Sequence, residues 1–276
     1  MNFIMAILVI LKILAVAFLP GPLILLPFIV LIGGPALIYI CHKGILSASR
    51  GQMVFFGALI LTGIAGYVYF LIYYPTYGWH QKLTVEVETS QGIVSGSSVV
   101  GVWWETPLPN PLGPEQSARI QRIRGEATAV QLPDGRYLFA LLKDVAYLAP
   151  SVFAKDKIDR GQRFSLPAAA EVSRMANVTK VVPPEYYPLL VTFTDINDPL
   201  TVKKVDPNNM AEWFGPGVSL KSVTLEITRE PVTTDKIGRL LKWLTPYPEP
   251  SLGPAKGEIE NIPFYNLVHH ADFLRR

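Results

Sequence analysis

The chain has 276 residues, half of them apolar and only 17% charged, with a formal net charge of +3. A water-soluble globular chain carries about a quarter charged residues, so this composition excludes a fully soluble enzyme and an intrinsically disordered chain alike. Residues 1–80 hold Lys12, Lys43 and Arg50 and no acidic residue, which leaves 22 basic side chains (25 less these three) against all 22 acidic ones. That balanced remainder excludes the broad basic surface a nucleic-acid binder needs.

Residues 1–80 read as a membrane region with helices over about 3–19, 23–40 and 53–74. The third run, Met53 to Tyr74, is 22 residues without a charge, enough to span the hydrocarbon core as a helix. The first two are shorter and are separated by Pro20-Gly21-Pro22, which removes backbone donors and predicts a break between two short helices. Whether residues 3–40 cross the bilayer once, twice or as a re-entrant hairpin stays open. Lys12 sits midway along the first run with no acidic partner in residues 1–80, which predicts a shallow segment whose ammonium reaches a headgroup. The N-terminus has no basic n-region and Pro20 follows no small-residue cleavage site, so residues 1–19 do not read as a cleaved signal peptide.

Lys43 and Arg50 lie in the loop before the third span. Positive loops stay cytoplasmic, so the chain after residue 80 is expected on the outer face. Ala58, Thr62 and Gly66 repeat every four residues on one helix face, with Gly63 beside it. Small residues at that spacing allow close helix approach, to this chain's own first helices or to a protein partner. Tyr67, Tyr69, Tyr73, Tyr74, Tyr77 and Trp79 predict an aromatic belt where the chain leaves the bilayer.

Residues 81–245 read as one α+β domain, strand-rich with few helices, and 246–276 as a proline-rich tail. Leu83, Val85 and Val87 alternate with Thr84, Glu86 and Glu88, the period of a half-buried strand. Gln91-Gly92 predicts a turn and Ile93–Trp104 its partner strand, with the small-residue stretch Ser95–Ser98 suited to a bulge or close packing. A proline-rich loop follows over Thr106–Pro114. Glu126–Leu132 and Arg136–Leu142, joined by Pro133-Asp134-Gly135, predict a hairpin; its register is expected to send Phe139 and Leu141 to one face and Tyr137 and Ala140 to the other.

Further along, Ser165-Leu166-Pro167 predicts a helix start and Leu166–Met175 the helix. Tyr187–Thr194 and Thr201–Val205 read as strands around the turn Asn197-Asp198-Pro199. Asn208–Phe214 reads as a short helix stopped by Gly215-Pro216-Gly217, and Val218–Arg229 as a long strand. Thr233 or Thr234 is expected to cap a helix over Asp235–Leu244 with Ile237, Leu240, Leu241 and Leu244 on one stripe. In the tail, Phe264–Phe273 is the stretch expected to dock back.

Candidate chemistry is sparse. Cys41 is the single cysteine, so neither a disulfide nor a thiolate metal site is expected in the domain, and a bacterial envelope fits better than a disulfide-rich eukaryotic exterior. His269, His270 and Asp272 are close in sequence, but adjacent histidines rarely reach one ion. Asp195, Asp198 and Asp206, with Asn197, Asn208 and Asn209 nearby, are the candidate metal ligands, of the oxygen type that holds calcium. Their spacing is not that of an EF-hand, and Asx residues beside proline are ordinary turn chemistry. No Walker loop, dinucleotide fingerprint or Gly-x-Ser-x-Gly elbow is present, so no catalytic residue and no cofactor are expected. Trp103-Trp104, Trp213-Phe214 and Trp243 are candidates for a sugar- or peptide-binding platform; at most one of Trp103 and Trp104 can face a core, since neighbours on a strand point to opposite sides.

The run from Pro188 to Leu244, with "PLLVTFTDINDP", then "VDPNNMAEWFGPGVSLKSVTLEITREPVTT", then "KWL", resembles uncharacterised inner-membrane proteins of alphaproteobacteria of unknown function, in which a strand-rich region follows an apolar N-terminus. The resemblance covers about the last two-thirds of the chain. It implies an inner-membrane protein and supplies no catalytic residues. The sequence therefore leads to a multi-pass inner-membrane protein that presents a periplasmic interaction or accessory domain, with the bilayer and a protein as partners and no nucleic acid. An envelope hydrolase or metal-dependent enzyme, and an accessory subunit of a membrane transport complex, are the alternatives.

Overall fold

The computed structural model describes residues 51, 57–58, 61–68, 75–105, 120–163, 165–244, 252 and 262–276. The expected helices over 3–19 and 23–40, and the Thr106–Pro114 loop, lie outside the described residues. Of the expected 53–74 span, residues 57–58 and 61–68 are described and helical, with the Thr62 hydroxyl donating to the Ala58 carbonyl at 2.9 Å. Among the described residues no helix is long and apolar enough to cross a membrane.

Residues 77–104 and 121–276 form one compact unit. It is α+β, rich in strands and poor in helix. Its strands are β1 (Thr76–Thr89), β2 (Gly92–Glu105), β3 (Ile120–Glu126), β4 (Thr128–Gln131), β5 (Tyr137–Ala140), β6 (Val178–Val181), β7 (Leu190–Phe193), β8 (Val202–Lys204), β9 (Ser219–Thr228) and β10 (Leu274–Arg275). The helices are short: α1 (Val145–Phe153), α2 (Leu166–Val172), α3 (Ala211–Phe214), α4 (Ile237–Leu240) and α5 (His270–Phe273). Six strands form one sheet in the order β10-β3-β2-β1-β9-β6, and four form a second in the order β4-β5-β7-β8. The chain passes from the first sheet to the second between β3 and β4, where only Ala127 intervenes.

The first strand begins within the stretch expected to form an aromatic belt. Along β1 the inward positions are Trp79, Gln81, Leu83, Val85, Val87 and Thr89, all buried. Trp79 is therefore core, its indole N–H donating to Gln81 Oε1 at 2.8 Å, and not the interfacial residue expected of it; Tyr77 is half-buried against the same cluster. β1 pairs antiparallel with β9, setting Leu83 opposite Leu225 and Val85 opposite Val223, with a register shift between Glu86 and Val87. Alternation is clean here because one face of β1 packs into the core and the other does not.

The four-stranded sheet is packed on both faces. Val130, Leu138 and Ala140 join the inward residues of β1, β2 and β9 and the helices α1 and α2 in one core. Phe139, Leu141, Val191, Phe193 and Val202 join Ile237, Leu241, Leu244, Val268 and Phe273 in a second. This corrects the expected hairpin register. Tyr137 shares a face with Phe139, their rings stacked with centroids 6.0 Å apart, as strand periodicity requires of residues two apart, and Ala140 lies opposite with Leu138.

The last stretch is a structural part of the domain. Phe273 is fully buried, its ring edge-on to Phe139 at 5.9 Å and to Trp243 at 5.8 Å. Ala127 N–H donates to the Phe273 carbonyl at 2.8 Å and Leu142 N–H to the Asp272 carbonyl at 2.7 Å. β10 then pairs with β3, Leu274 opposite Glu126.

The expected Asp235–Leu244 helix is shorter and differently capped. It is the single turn α4 followed by a 3-10 turn over Lys242–Leu244. The Thr233 hydroxyl accepts from Val99 N–H at 2.8 Å, which ties Thr233 to β2 and away from the helix start, and Asp235 has a left-handed φ of 69°. The cap comes instead from Glu126, whose fully buried carboxylate accepts from the N–H groups of Lys236 and Ile237 at 3.1 Å. The stripe survives, with Ile237, Leu241 and Leu244 buried.

Burial pushes the Glu126 pKa up, and the two backbone N–H groups that favour its charged form do not offset this. The folded chain thus holds this proton more tightly than the unfolded chain, in which a glutamate titrates near about 4.3. Through the window above that value the folded state binds more protons, so this group's contribution to stability falls as pH rises. In denaturation of the full chain in nonionic detergent, Glu126→Gln keeps an acceptor and is expected to flatten the fall in stability as pH rises above about 4.3. Glu126→Ala orphans the two N–H groups and should cost about 1–3 kcal/mol. A wild-type pH dependence retained in Glu126→Gln contradicts the assignment.

Candidate functional site

A cleft of about 850 Å³ opens into the first core, within the size range of small-molecule sites. Its floor comes from three strands. Gln81 of β1, Ser98 of β2 and Thr128 of β4 are polar and buried where their strands otherwise point apolar side chains inward. Each is held by hydrogen bonds, as buried polar groups must be. The Gln81 amide nitrogen donates to the Val145 carbonyl at 2.9 Å, tying β1 to the start of α1. Ser98 Oγ and Thr128 Oγ1 lie 2.6 Å apart and join β2 of one sheet to β4 of the other. The two strands come this close because residue 96 is glycine: a Cβ there would meet the Ala129 carbonyl oxygen at 2.1 Å. The Ser95–Ser98 stretch thus serves close packing.

Apolar side chains form the wall, among them Leu83, Val100, Ala140, Leu142, Leu148 and Leu190. Around the mouth lie the cations Lys143, Lys155, Arg160, Arg163 and Lys204 against the acids Asp144, Asp159 and Glu185. Two of the acids are engaged: Asp144 pairs with Arg163 at 3.0 Å and Glu185 with Lys155 at 3.7 Å. Both paired cations also face tyrosine rings, Arg163 over Tyr147 at 4.7 Å and Lys155 over Tyr186 at 5.2 Å. Lys143, Arg160 and Lys204 have no ion pair among the described residues, so the mouth carries surplus positive charge. Beyond the lining residues, Ser165 caps α2: its Oγ accepts from Ala168 N–H at 3.1 Å and donates to the Lys157 carbonyl at 2.5 Å.

The residues singled out from sequence lie elsewhere. Asp195 Oδ1 accepts from Asn197 N–H, Asp198 Oδ1 from Leu200 N–H and Asp206 Oδ1 from Asn208 N–H, each at 2.9 Å. These are Asx turns, each carboxylate closing its own loop. Asp272 Oδ2 accepts from His269 N–H at 2.9 Å at the start of α5, and His269 Nδ1 lies 3.5 Å from the same oxygen. Among the described residues no group of three or more His, Cys, Asp or Glu is placed to hold a metal ion.

The tryptophans do not share a platform. Trp104 is buried and donates to the Ala146 carbonyl at 3.3 Å, and Trp213 packs against the same first core. Trp243 packs against the second core and donates to the Ile196 carbonyl at 2.9 Å. Trp103, on the other face of β2, lies over Gly78 and Gly101, where a Cβ would fall 2.4 Å from its indole.

Sequence reading passed over Gln81, Ser98 and Thr128. A signal existed: Gln81 occupies an inward position between Trp79 and Leu83, and a polar residue in an apolar register marks a place where the core is not closed. Comparisons with protein-family models, with curated proteins and with solved structures found no match.

Removing one hydroxyl of the Ser98–Thr128 pair strands the other, at about 1–3 kcal/mol. Ser98→Ala should therefore destabilise the full chain by that amount in chemical denaturation, and Ser98→Ala/Thr128→Val by less than the sum of the two single changes. Additive losses contradict a direct bond between them.

Proposed function

We propose that the chain is a multi-pass protein of a bacterial inner membrane that displays its strand-rich domain on the periplasmic side as a non-catalytic binding module. The observation that carries the binding reading is the cleft itself. It has an apolar wall, its floor groups are tied to each other and to the α1 backbone, and two of its three rim acids are held in ion pairs. Groups spent on hydrogen bonds and ion pairs hold a shape. A nucleophile needs instead a proton acceptor within reach, and a general base needs a free lone pair aimed at the proton it takes.

The membrane reading is supported by the charge asymmetry of the first 80 residues and by the helical residues 61–68, which leave Leu61, Ile64, Tyr67 and Val68 exposed. Contiguous exposed apolar side chains on a helix call for an apolar environment. Alkaline phosphatase, active only outside the cytoplasm, tests the placement. Fused after Arg276 it is expected to be active, and an inactive fusion beside a fluorescent cytoplasmic-reporter fusion overturns the placement.

A further inference from the structure

We propose that the cleft takes an amphiphile with a single acyl chain and an anionic headgroup, the chain inside and the headgroup at the mouth. This names the ligand of the binding module above and rests on that reading.

The cleft has two chemically distinct zones. Inside, the wall is aliphatic and comes from both sheets and α1, through Leu83, Val100, Ala140, Leu142 and Leu148. The floor hydrogen bonds, Gln81 to Val145 and Ser98 to Thr128, are made within the protein, so an acyl chain entering the cleft need not break them. Burying its methylenes against this wall removes apolar surface from water and favours binding.

The mouth differs in kind. Five cations face three acids there, in a domain region whose overall charge is balanced. Arg163 and Lys155 already answer Asp144 and Glu185, leaving Lys143, Arg160 and Lys204 against Asp159 alone. These three come from separate segments: the turn before α1, the loop before α2, and the end of β8. Positive charge gathered from three segments at the lip of an apolar cleft complements a ligand with an apolar body and one negative end. A cationic amphiphile would meet repulsion at the same place, and a plain hydrocarbon would leave the surplus charge unanswered.

The test uses the full chain in nanodiscs of zwitterionic phosphatidylcholine, with radiolabelled dodecanoate as probe and empty nanodiscs subtracted. One saturable site per chain is expected. Neutralising the rim (Lys143→Gln/Arg160→Gln/Lys204→Gln) changes only exposed side chains and should weaken binding about tenfold. Ser151→Trp, at a half-buried cleft-lining position on α1, should abolish it by obstruction. Dodecylamine should fail to compete.

No saturable excess over empty nanodiscs overturns the proposal. So does saturable binding that neither variant alters, since the probe then sits elsewhere. Dodecanoate that binds as expected but is recovered chemically altered supports the ligand class and overturns the non-catalytic reading instead.

Discussion

The four-stranded sheet packs apolar side chains into a core on each of its faces, and the rest of the domain is arranged around that fact. Successive residues from β5 onward and along β7 enter different cores: Leu138 and Ala140 one, Phe139 and Leu141 (just past β5) the other; Leu190 the first, Val191 the second. Exposing either face would forfeit about 1.5–3 kcal/mol for each large apolar side chain uncovered. The six-stranded sheet with α1 and α2 covers one side. The C-terminal residues cover the other, and the backbone bonds from Ala127 and Leu142 to Phe273 and Asp272 fix where that cover sits. Glu126 stands at the junction, opposite Leu274 in the ladder and beneath α4.

The same constraint shapes the cleft. The middle sheet presents Thr128 and Ala140 to the first core, and the cleft opens there against Gln81, Leu83 and Ser98 of the outer sheet. Because the middle sheet is held from behind by the second core, the cleft floor is backed by packed side chains and is pre-formed. The ligand then need not order its own site, which removes one of the costs of binding.

What could be read from sequence follows the same physics. β1 and β9 were legible because each has one packed face, and the alternation of Leu83, Val85 and Val87 records it. The hairpin of β4 and β5 was legible from Pro133-Asp134-Gly135, a local turn, but the face of Tyr137 was not. A strand buried on both sides carries no polar residues to mark its outward positions. The α4 cap was out of reach because Glu126 lies 110 residues before Lys236, and capping signals are sought within a turn. Ser165-Leu166-Pro167 predicts a helix start, a local signal, and Ser165 caps the helix that begins there. The Asx turns of Asp195, Asp198 and Asp206 gave the strongest polar pattern in the sequence. The cleft is lined from Gln81 to Pro207 by residues that no spacing connects.

Amide hydrogen exchange of the full chain in nonionic detergent tests the double burial of the middle sheet most directly, because protection reports the opening free energy of each segment. Amides of β5 and β7 are predicted to be among the slowest, exchanging far more slowly than those of β6, the exposed edge strand of the outer sheet. Exchange of Leu138–Ala140 and Leu190–Phe193 at the rate of Val178–Val181 would contradict the account, since a sheet between two cores cannot open as readily as an edge.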